Sequence, residues 1–385
     1  MGRALRLGLF SPYFGSTVGG GEKYLAVVAE TLRDAYPAHS VEILAPVPVD
    51  TERYRRMLGI NLDGIRLIST TQRVTPLHRL ANRITPLRPL RNRVISAQAG
   101  RATAKYDLFV AMVYAIPVRT LARRSVMLCQ FPYPDPDPRD IDPYEQIVSQ
   151  SEYVRDWIRR YWHRESTVVN PPVDVAVEEP AWESKERVIL GVGRFFAGGH
   201  TKRQDLLVES FRNLVDSGLK GWTLHLAGAV HRDAVHAGYY EGVAARAVGY
   251  PIVLHPDAPR DEIEDLFRRA SIFWHAAGFG ADPNRPADAE HFGMTTAEAM
   301  AAGAVPVAFG AGGQLEIITE GHDGYLWTDS GGLVERTRQL AADEVLRRRL
   351  GTAAAQSARR FSRAAFEHRI LELLGPLIAE LEAGS

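Results

Sequence analysis

Short apolar runs alternate with longer amphipathic runs along most of this 385-residue chain, and this alternation limits the possible folds more than any other feature. In the first half, "GEKYLAVVAETLRDAY" and "SEYVRDWIRRYW" carry apolar residues at helical spacing. The runs that look like strands are "LRLGLF", "VEILAP", "IRLIS", "YDLFVAMV", "SVMLCQF" and "STVVN". Strands that alternate with helices predict an α/β fold with a parallel sheet covered on both faces.

The pattern stops at "VNPPVDVAVEEPAWESKE" and then restarts, which indicates a domain boundary. The chain is also longer than one hydrophobic core usually supports. The second set of strands is "RVILGVGRF", "WTLHLAG", "PIVLHP", "SIFWHAA" and "AVPVAFG". We therefore predict domains over residues 1–172 and 173–360 and a C-terminal helix over 361–385. Ligands of such sheets bind at the carboxyl ends of the strands, so function should lie on the strand-to-helix loops.

The overall charge is balanced, with 46 lysines and arginines against 46 aspartates and glutamates, so nucleic acid is not an expected partner. The stretch from Gly64 to Tyr106 contains no acidic residue. The basic residues in it include Arg73, Arg79, Arg83, Arg88, Arg91, Arg93, Arg101 and Lys105. This stretch is either a solvated basic face or a surface for anionic lipid or a diphosphate-bearing acceptor.

Two further features indicate the compartment. The single cysteine, Cys129, excludes an internal disulfide, fits a reducing environment, and is expected to be buried in "SVMLCQF". No apolar run reaches the length of a membrane-spanning helix, and the apolar part of "RALRLGLF" is too short for a signal peptide. We expect a cytoplasmic protein.

Two loops have the composition of a diphosphate site. Gly19–Gly21 follow the first strand and precede a helix, where free backbone N–H groups attract anions. This loop has neither Walker nor dinucleotide spacing, and a plain flexible turn is an equal alternative. In the second domain, Arg194 and Lys202 lie on one strand-to-helix loop, and two such cations can neutralise a diphosphate. Their alternative is a pair of solvated loop residues.

The segment "EHFGMTTAEAM" places two glutamates, Glu290 and Glu298, around a predicted helix start. Thr295 and Glu298 match a capping box, with Gly303 as a helix stop, so Glu298 has a structural explanation. Glu290 lies in the preceding loop and has no capping role. One carboxylate on each side of a phosphate-binding helix end suits a sugar on one side and a ribose on the other, as in a nucleotide sugar.

The chain resembles the family 4 retaining glycosyltransferases over essentially its whole length. The similarity lies in "GGGE", "VVNPPVD", "GVGRF" followed by "KRQDLL", "HFGMTTAEAMAAGAVPVAFGAGGQLEII" and "FSRAAFEHRILELL". It is nearest to the branch with lipid-linked oligosaccharide mannosyltransferases and bacterial relatives. The resemblance implies the GT-B fold, with two Rossmann-like doubly wound domains facing across a cleft and a C-terminal helix crossing back to the first domain. The first domain would bind the acceptor and the second the nucleotide sugar.

The resemblance also implies a role for each candidate residue. Glu290 would hold the transferred sugar and Glu298 the ribose, and Arg194 and Lys202 would act on the diphosphate. The remaining donor-binding positions are Gly19, Gly20, Phe292, Gly293, Met294 and Thr295. Many members have a histidine where this chain has Gln130, which places Gln130 on the acceptor side. Glutamine can hydrogen-bond an acceptor but cannot shuttle a proton near neutral pH.

The implied activity is retaining transfer of a hexose, of the mannose or glucose type, to a hydroxyl of a lipid-linked, glycan or small-molecule acceptor. No cofactor or metal is expected, since the nucleotide sugar is a substrate and the cations stabilise the leaving diphosphate. One alternative is a metal-dependent transferase that uses the Asp-x-Asp pattern of "PDPDPRDID". Others are a nucleotide-sugar epimerase or hydrolase of the same architecture, and a non-catalytic partner subunit.

Overall fold

The computed structural model describes residues 3–16, 19–69, 99–114, 118–174, 180–230, 233–282 and 284–384. The chain forms two compact units. The N-terminal unit consists of residues 1–172 together with 364–385, and the C-terminal unit consists of 173–363. The first change between units falls at the predicted position, 172/173, whereas the second falls at 363/364 rather than 360/361.

The N-terminal unit contains a seven-stranded parallel sheet in the order β3-β2-β1-β4-β5-β6-β7. Its strands are β1 Arg6–Phe10, β2 Ser40–Ala45, β3 Arg66–Ser69, β4 Leu108–Tyr114, β5 Arg124–Phe131, β6 Gln146–Ser149 and β7 Thr167–Val168. The α-helices of its described residues include α1 Gly20–Ala35, α2 Thr51–Leu58, α3 Pro138–Ile141 and α4 Glu152–Trp162.

The C-terminal unit contains a six-stranded parallel sheet in the order β10-β9-β8-β11-β12-β13. Its strands are β8 Val188–Val192, β9 Thr223–Gly228, β10 Ile252–Pro256, β11 Ile272–His275, β12 Val305–Phe309 and β13 Tyr325–Trp327. The α-helices of its described residues include α5 Gln204–Asp216, α6 Ala234–Ala247, α7 Arg260–Arg269, α8 Met294–Ala301, α9 Gln314–Ile317, α10 Ser330–Ala342 and α11 Glu344–Ala358.

The last helix, α12 Arg363–Ala383, belongs to the core of the N-terminal unit. Phe366, Ile370 and Leu374 follow one another at a spacing of four residues and are buried in the same cluster as the β1 side chains. The Phe366 ring meets the Tyr24 ring edge-on, with 4.9 Å between their centroids. A long C-terminal segment therefore completes a core that the first residues of the chain begin.

Each sheet has one point at which the strand order reverses. In the N-terminal unit this point lies between β1 and β4, and in the C-terminal unit it lies between β8 and β11. The loops that leave adjacent strands at such a point diverge to opposite faces and leave a crevice at the carboxyl edge. The loops after β1, β8 and β11 carry most of the predicted site residues.

The predicted α/β fold class is confirmed: both units are Rossmann-like, with parallel sheets wound in two directions. All strands predicted from apolar runs are present, although the last of the N-terminal unit is only Thr167–Val168. Cys129 is buried in β5, as expected, and burial raises the pKa of its thiol. Within the described parts of the chain, no helix combines the length and apolar character needed to cross a membrane.

Candidate active site

The loop after β8 brings Arg194 and Lys202 to one place. Gly193 makes this possible, because a Cβ atom at this position would lie 2.6 Å from Cγ of Lys202. The aliphatic part of Lys202 thus packs on the backbone just before Arg194, despite the length of the intervening loop. Arg194 is exposed, and its guanidinium lies 5.7 Å from the centroid of the Phe196 ring. Among the described residues, no carboxylate forms an ion pair with Arg194.

Glu290 is the centre of a buried polar cluster. It is 8% exposed, its Oε2 atom forms an ion pair with the Lys202 ammonium, and the same oxygen lies 2.9 Å from Nε2 of His275. Burial by itself would raise the pKa of Glu290, but Lys202 and His275 outweigh burial and hold this pKa well below its usual range. The cluster therefore contains a carboxylate anion rather than a carboxylic acid.

His275 is the last residue of β11 and is 3% exposed. Burial lowers its pKa although Glu290 opposes this effect, so the imidazole is neutral near pH 7. A carboxylate only accepts hydrogen bonds, so the hydrogen of the neutral ring lies on Nε2 and is donated to Glu290. The other ring nitrogen, Nδ1, is buried without a partner among the described residues.

Two further histidines fix the loop that carries Glu290. Nδ1 of His200 lies 3.1 Å from the carbonyl oxygen of Ala289, and Nε2 of His291 lies 2.9 Å from that of Ala287. Their rings are 4.9 Å apart. Burial lowers the pKa of both, that of His291 to about 4, so both are neutral donors at physiological pH. The contact of His200 with Ala289 therefore links the loop after β8 to the loop after β11 next to Glu290.

Helix α8 begins at Met294, directly after Gly293, which has a φ of 116°. Its N-cap is Gly293, which has no side chain to cap the helix, so the predicted capping box of Thr295 and Glu298 is wrong: Thr295 lies inside the helix. The predicted stop at Gly303 is confirmed, with a φ of 81° and a backbone bond to Met300 of 2.8 Å. The N–H groups in the first turn of α8 have no partner among the described residues, and such groups attract anions.

Buried polar side chains without partners surround this helix start. Both amide atoms of Gln314 and the hydroxyl of Thr296 are buried and form no hydrogen bond with any described residue. A Cβ atom on Gly293 would lie 2.2 Å from Nε2 of Gln314, so the amide rests against the glycine. Phe292 is buried, and its ring packs edge-on against Phe361 at 5.1 Å. Unpaired buried donors and acceptors are costly unless a ligand or water meets them.

Glu298 lies on the buried face of α8 and is bound to Arg260. Its Oε1 atom is 3.1 Å from Nη1 of Arg260, and the same guanidinium is 3.7 Å from Asp174 and 2.7 Å from Glu264. Burial lowers the pKa of Arg260, but the three carboxylates outweigh burial and raise it. An ion pair, and not a helix cap, is therefore the structural role of Glu298.

In the N-terminal unit, the structure brings the glycine loop and Gln130 together. Gly19 is the N-cap of α1 with extended backbone angles. The pairing of β4 with β5 passes from Cys129 to Phe131, so Gln130 is a bulged residue, and bulges redirect side chains. A Cβ atom on Gly21 would lie 1.9 Å from Nε2 of Gln130. Gly21 therefore makes a close approach to Gln130 that only glycine allows, and the assignment of Gly19 and Gly20 to donor binding stays a prediction.

Three of the four aspartates in "PDPDPRDID", namely Asp137, Asp140 and Asp142, are paired with arginines. Asp137 caps α3 and forms ion pairs with Arg119 and Arg139, at 2.9 and 2.6 Å. Asp140 lies 2.6 Å from Arg119. In the ranges that the structure describes, no three acidic, histidine or cysteine side chains are grouped as metal ligands.

The structure therefore brings Arg194, Lys202, Glu290 and the start of α8 together in the C-terminal unit, and Gly19–Gly21 and Gln130 together in the N-terminal unit. Sequence reasoning missed His275 and Gln314. The signal for His275 was weak, because a histidine at the end of an apolar strand is more often a core residue than a functional one.

Comparison with known proteins agrees with this architecture. Residues 174–357 match the family model described as "Glycosyl transferases group 1". A D-inositol 3-phosphate glycosyltransferase from Streptomyces bingchenggensis is 25% identical over 286 residues, which are 66% of this chain and 58% of that protein. The match thus spans little more than half of that relative.

Solved structures resemble the whole chain. Sucrose-phosphate synthase from Thermosynechococcus elongatus aligns with a TM-score of 0.72 at 16% identity, covering 98% of this chain and 100% of that one. HepE from Anabaena, solved with UDP and glucose, aligns with a TM-score of 0.67 at 16% identity, covering 96% and 99%.

The two Rossmann-like units and these structural neighbours define a protein of the GT-B fold class. Within that class, residues 174–357, which make up most of the C-terminal unit, are similar to the group 1 glycosyltransferases.

Proposed function

We propose that this chain is a retaining glycosyltransferase that moves a hexose, of the mannose or glucose type, from a nucleoside diphosphate sugar to a hydroxyl acceptor. The observation that carries the proposal is the assembly of Arg194, Lys202 and Glu290 where the strand order of the second sheet reverses. The UDP and UDP-glucose held by HepE support a uridine nucleotide as the first donor to test.

In the proposed mechanism, the diphosphate lies against Arg194, Lys202 and the free N–H groups at the start of α8. Glu290, oriented by His275, accepts hydrogen bonds from hydroxyls of the transferred sugar. Glu298 accepts hydrogen bonds from the ribose, while its ion pair with Arg260 keeps it in place. Negative charge on the diphosphate grows as the anomeric bond breaks, and the two cations and the helix end stabilise it.

The acceptor hydroxyl then attacks the anomeric carbon from the face that the diphosphate leaves. The new carbon–oxygen bond forms as the bond to the phosphate oxygen breaks, and the leaving phosphate oxygen takes the hydroxyl proton. Configuration is retained, and no covalent intermediate with the protein is required. The cations supply the charge stabilisation that a divalent metal supplies in Asp-x-Asp transferases, and no cofactor takes part.

We assign acceptor binding to the N-terminal unit, beside Gln130 and the glycine loop. Lipid-linked, glycan and small-molecule acceptors all fit this proposal, and the name of the Streptomyces relative adds phosphorylated polyols. We place the reaction in the cytoplasm, at the inner face of the membrane when the acceptor is a lipid.

The proposal is tested first by thermal shift with UDP, GDP and ADP and their glucose and mannose conjugates. A ligand at 100 times its dissociation constant stabilises the folded state by about 2.7 kcal/mol. Conjugates that bind are then incubated with candidate acceptors, and NMR gives the anomeric configuration of the product. Sugar release to water alone would identify a hydrolase, an inverted product would contradict retention, and binding without turnover would favour a non-catalytic subunit.

Arg194→Ala provides the residue-specific arm of this test. We expect it to lower kcat more than donor affinity, because the charge that Arg194 meets grows toward the transition state. The matched control is Arg246→Ala, on the exposed face of α6. An Arg194→Ala protein with unchanged kcat and a raised donor KM would show that Arg194 binds the ground state and the transition state equally.

A further inference from the structure

A second polar cavity lies at the amino edge of the C-terminal sheet, opposite the candidate active site. Its volume is about 160 Å³, and its lining includes Arg187 and Ser271, the residues that directly precede β8 and β11. Arg194 and His275 lie at the other ends of the same two strands. Strand β8 has five residues, so about 16 Å of strand separates the two edges.

The cavity is lined by four cations: Lys185, Arg187, Arg347 and Arg348. None of them forms an ion pair with a carboxylate in the part of the chain that the structure describes. Two carboxylates also line the cavity, but Glu186 is neutralised by a bidentate pair with Arg269, at 2.8 Å for both bonds. Glu344 is then the one lining carboxylate, among the described residues, to set against three arginines and Lys185.

Backbone carbonyls and an aromatic ring hold three of these cations in place. Nζ of Lys185 donates to the carbonyls of Phe267 and Ala270, at 3.2 and 2.8 Å, and Nη1 of Arg347 donates to Leu340 at 2.5 Å. The guanidinium of Arg348 lies 5.8 Å from the centroid of the Trp182 ring. The two sets of carbonyl contacts cap the C-terminal ends of α7 and α10, and this capping role explains the positions of Lys185 and Arg347.

Capping of helix ends does not explain the remaining donors of these four basic residues. In its protonated form Lys185 keeps a third N–H, and Arg347 keeps its Nη2 group. Arg187 and Arg348 are exposed and have no such carbonyl contact among the described residues. Burial lowers the pKa of Lys185 to about 7, so its charged form lacks compensation in this structure. Clustered cations with free donors, already fixed by other contacts, form an anion site with little ordering cost.

We propose that this cavity binds a small doubly charged oxyanion of the phosphate class, either the free ion or the terminal group of a phosphomonoester. Arg187 and Arg348 supply guanidinium forks from the rim, Lys185 and Arg347 supply the fixed donors behind them, and Trp182 forms a wall. The site does not rest on the proposed transferase function, because it uses none of the residues assigned to the donor.

Isothermal titration of the full chain with inorganic phosphate, at low ionic strength, tests the site. The double variant Arg187→Ala, Arg348→Ala should bind phosphate at least about tenfold more weakly, since each lost charged hydrogen bond weakens binding. The matched control is Arg349→Ala, on the exposed face of the same helix α11, which should bind within about twofold of wild type. Circular dichroism confirms that each variant is folded.

Phosphate bound at the donor site would give a different pattern. Such binding would weaken in Arg194→Ala and survive in the double variant, and this pattern would overturn the proposal, as would the absence of phosphate binding by wild type. Binding that survives Arg194→Ala and is lost in the double variant supports it. Glycerol phosphate then separates the two sources: tighter binding than that of inorganic phosphate identifies a monoester, and weaker binding identifies the free ion.

Discussion

Lys202 and Glu290 are paired with each other, although the proposed mechanism assigns them to different parts of one ligand. A diphosphate that attracts Lys202 competes with the Glu290 carboxylate for the same ammonium group. Once Lys202 turns to the diphosphate, Glu290 keeps its bond to His275 and gains free lone pairs for sugar hydroxyls. Diphosphate and sugar should therefore bind cooperatively, because each replaces one half of the ion pair.

We expect glucose or mannose to bind at least about fivefold more tightly in the presence of saturating UDP, the lower end of usual coupling between sites. Lys202→Met should remove this coupling, because Glu290 is then no longer held by an ammonium group. Isothermal titration with the free sugar measures the effect. Lys220→Met, at an exposed lysine remote from the β8 loop, serves as the control. Coupling of wild-type size in Lys202→Met would contradict this account.

His275 is a positioning residue in this scheme, and its role can be separated from simple packing. His275→Leu removes the donor to Glu290, while His275→Gln keeps an N–H group at nearly the same reach. A hydrogen bond to a buried charge contributes about 1.5–3 kcal/mol, so kcat should fall about tenfold or more in the leucine variant. The glutamine variant should recover most of this loss. Equal kcat values for the two variants, at equal stability, would assign His275 to the core alone.

The meeting of Arg194, Lys202 and Glu290 could be anticipated from the sequence, since all three follow strands at one reversal of strand order. The hydrogen-bond partners of these residues could not be anticipated from the sequence. The bond from His275 to Glu290 depends on how the loop of residues 276–289 folds back, and no local pattern encodes that path. Gln130 was assigned by resemblance, but its contact with Gly21 results from a bulge that periodicity does not reveal.

At the scale of elements, strands that lie in a clear apolar run were predictable, even the short β3, β7 and β11, and the others were not. The runs that became β1, β4, β5, β8 and β9 are apolar almost throughout, as expected for strands buried on both faces. Strands β6 and β13, with four and three residues, have polar residues or glycine on both sides and therefore show no clear apolar run. The capping box failed for a different reason. Gly293 adopts backbone angles that start the helix before Thr295.

The start of helix α8 depends on the backbone conformation of Gly293, and the variant Gly293→Ala tests this dependence. Its φ of 116° strains any other residue, and a Cβ atom would also collide with the buried Gln314 amide. Strain of this kind costs about 1–3 kcal/mol before any collision. We expect Gly293→Ala to lower the thermal midpoint of the protein and to abolish stabilisation by nucleoside diphosphates, because the N–H groups of the first turn move.

Gly249→Ala is the control for this variant. Gly249 lies just beyond the C-terminal end of α6 and has a φ of 84°, but a Cβ atom there would meet nothing within 4 Å. The substitution should lower the thermal midpoint through backbone strain alone and leave nucleotide stabilisation unchanged. Nucleotide stabilisation of wild-type size in Gly293→Ala would remove the start of α8 from the proposed diphosphate site.

At the scale of the whole molecule, the last helix of the chain packs into the core of the N-terminal unit. Leucine spacing identified residues 361–385 as helical, but the position of that helix followed only from the family resemblance. The helical period of apolar residues predicts which face of a helix is buried, but it does not predict which hydrophobic core that face packs against. In the structure, α12 contributes Leu377, Ile378 and Leu381 to the N-terminal core.

The acid-free stretch from Gly64 to Tyr106 raises the question of where the whole protein works. Most of it, residues 70–98, lies outside the described residues, so the membrane-surface hypothesis rests on sequence. Each basic side chain near an anionic lipid surface contributes about 1 kcal/mol, and a few such contacts are enough for reversible docking. Of the three basic residues within the described ranges, Lys105 and Arg66 are already paired with the buried Glu42, at 2.7 and 3.4 Å, and Arg101 is exposed. The arginines of 70–98 therefore have to supply most of the attraction.

We expect the full chain to co-sediment with anionic vesicles and not with neutral ones, and we expect this binding to weaken steeply as salt rises, because exposed charges are screened within about 10 Å at 0.1 M. Changing Arg88, Arg91 and Arg93 to serine should release most of the protein at low salt. The control changes three exposed arginines of the C-terminal unit to serine: Arg246, Arg268 and Arg349. This variant loses the same net charge and should still bind. If both triple variants bind alike, the attraction comes from net charge and not from a specific surface. If wild type binds neither kind of vesicle, the hypothesis of a membrane surface is wrong and a soluble acceptor is favoured over a lipid.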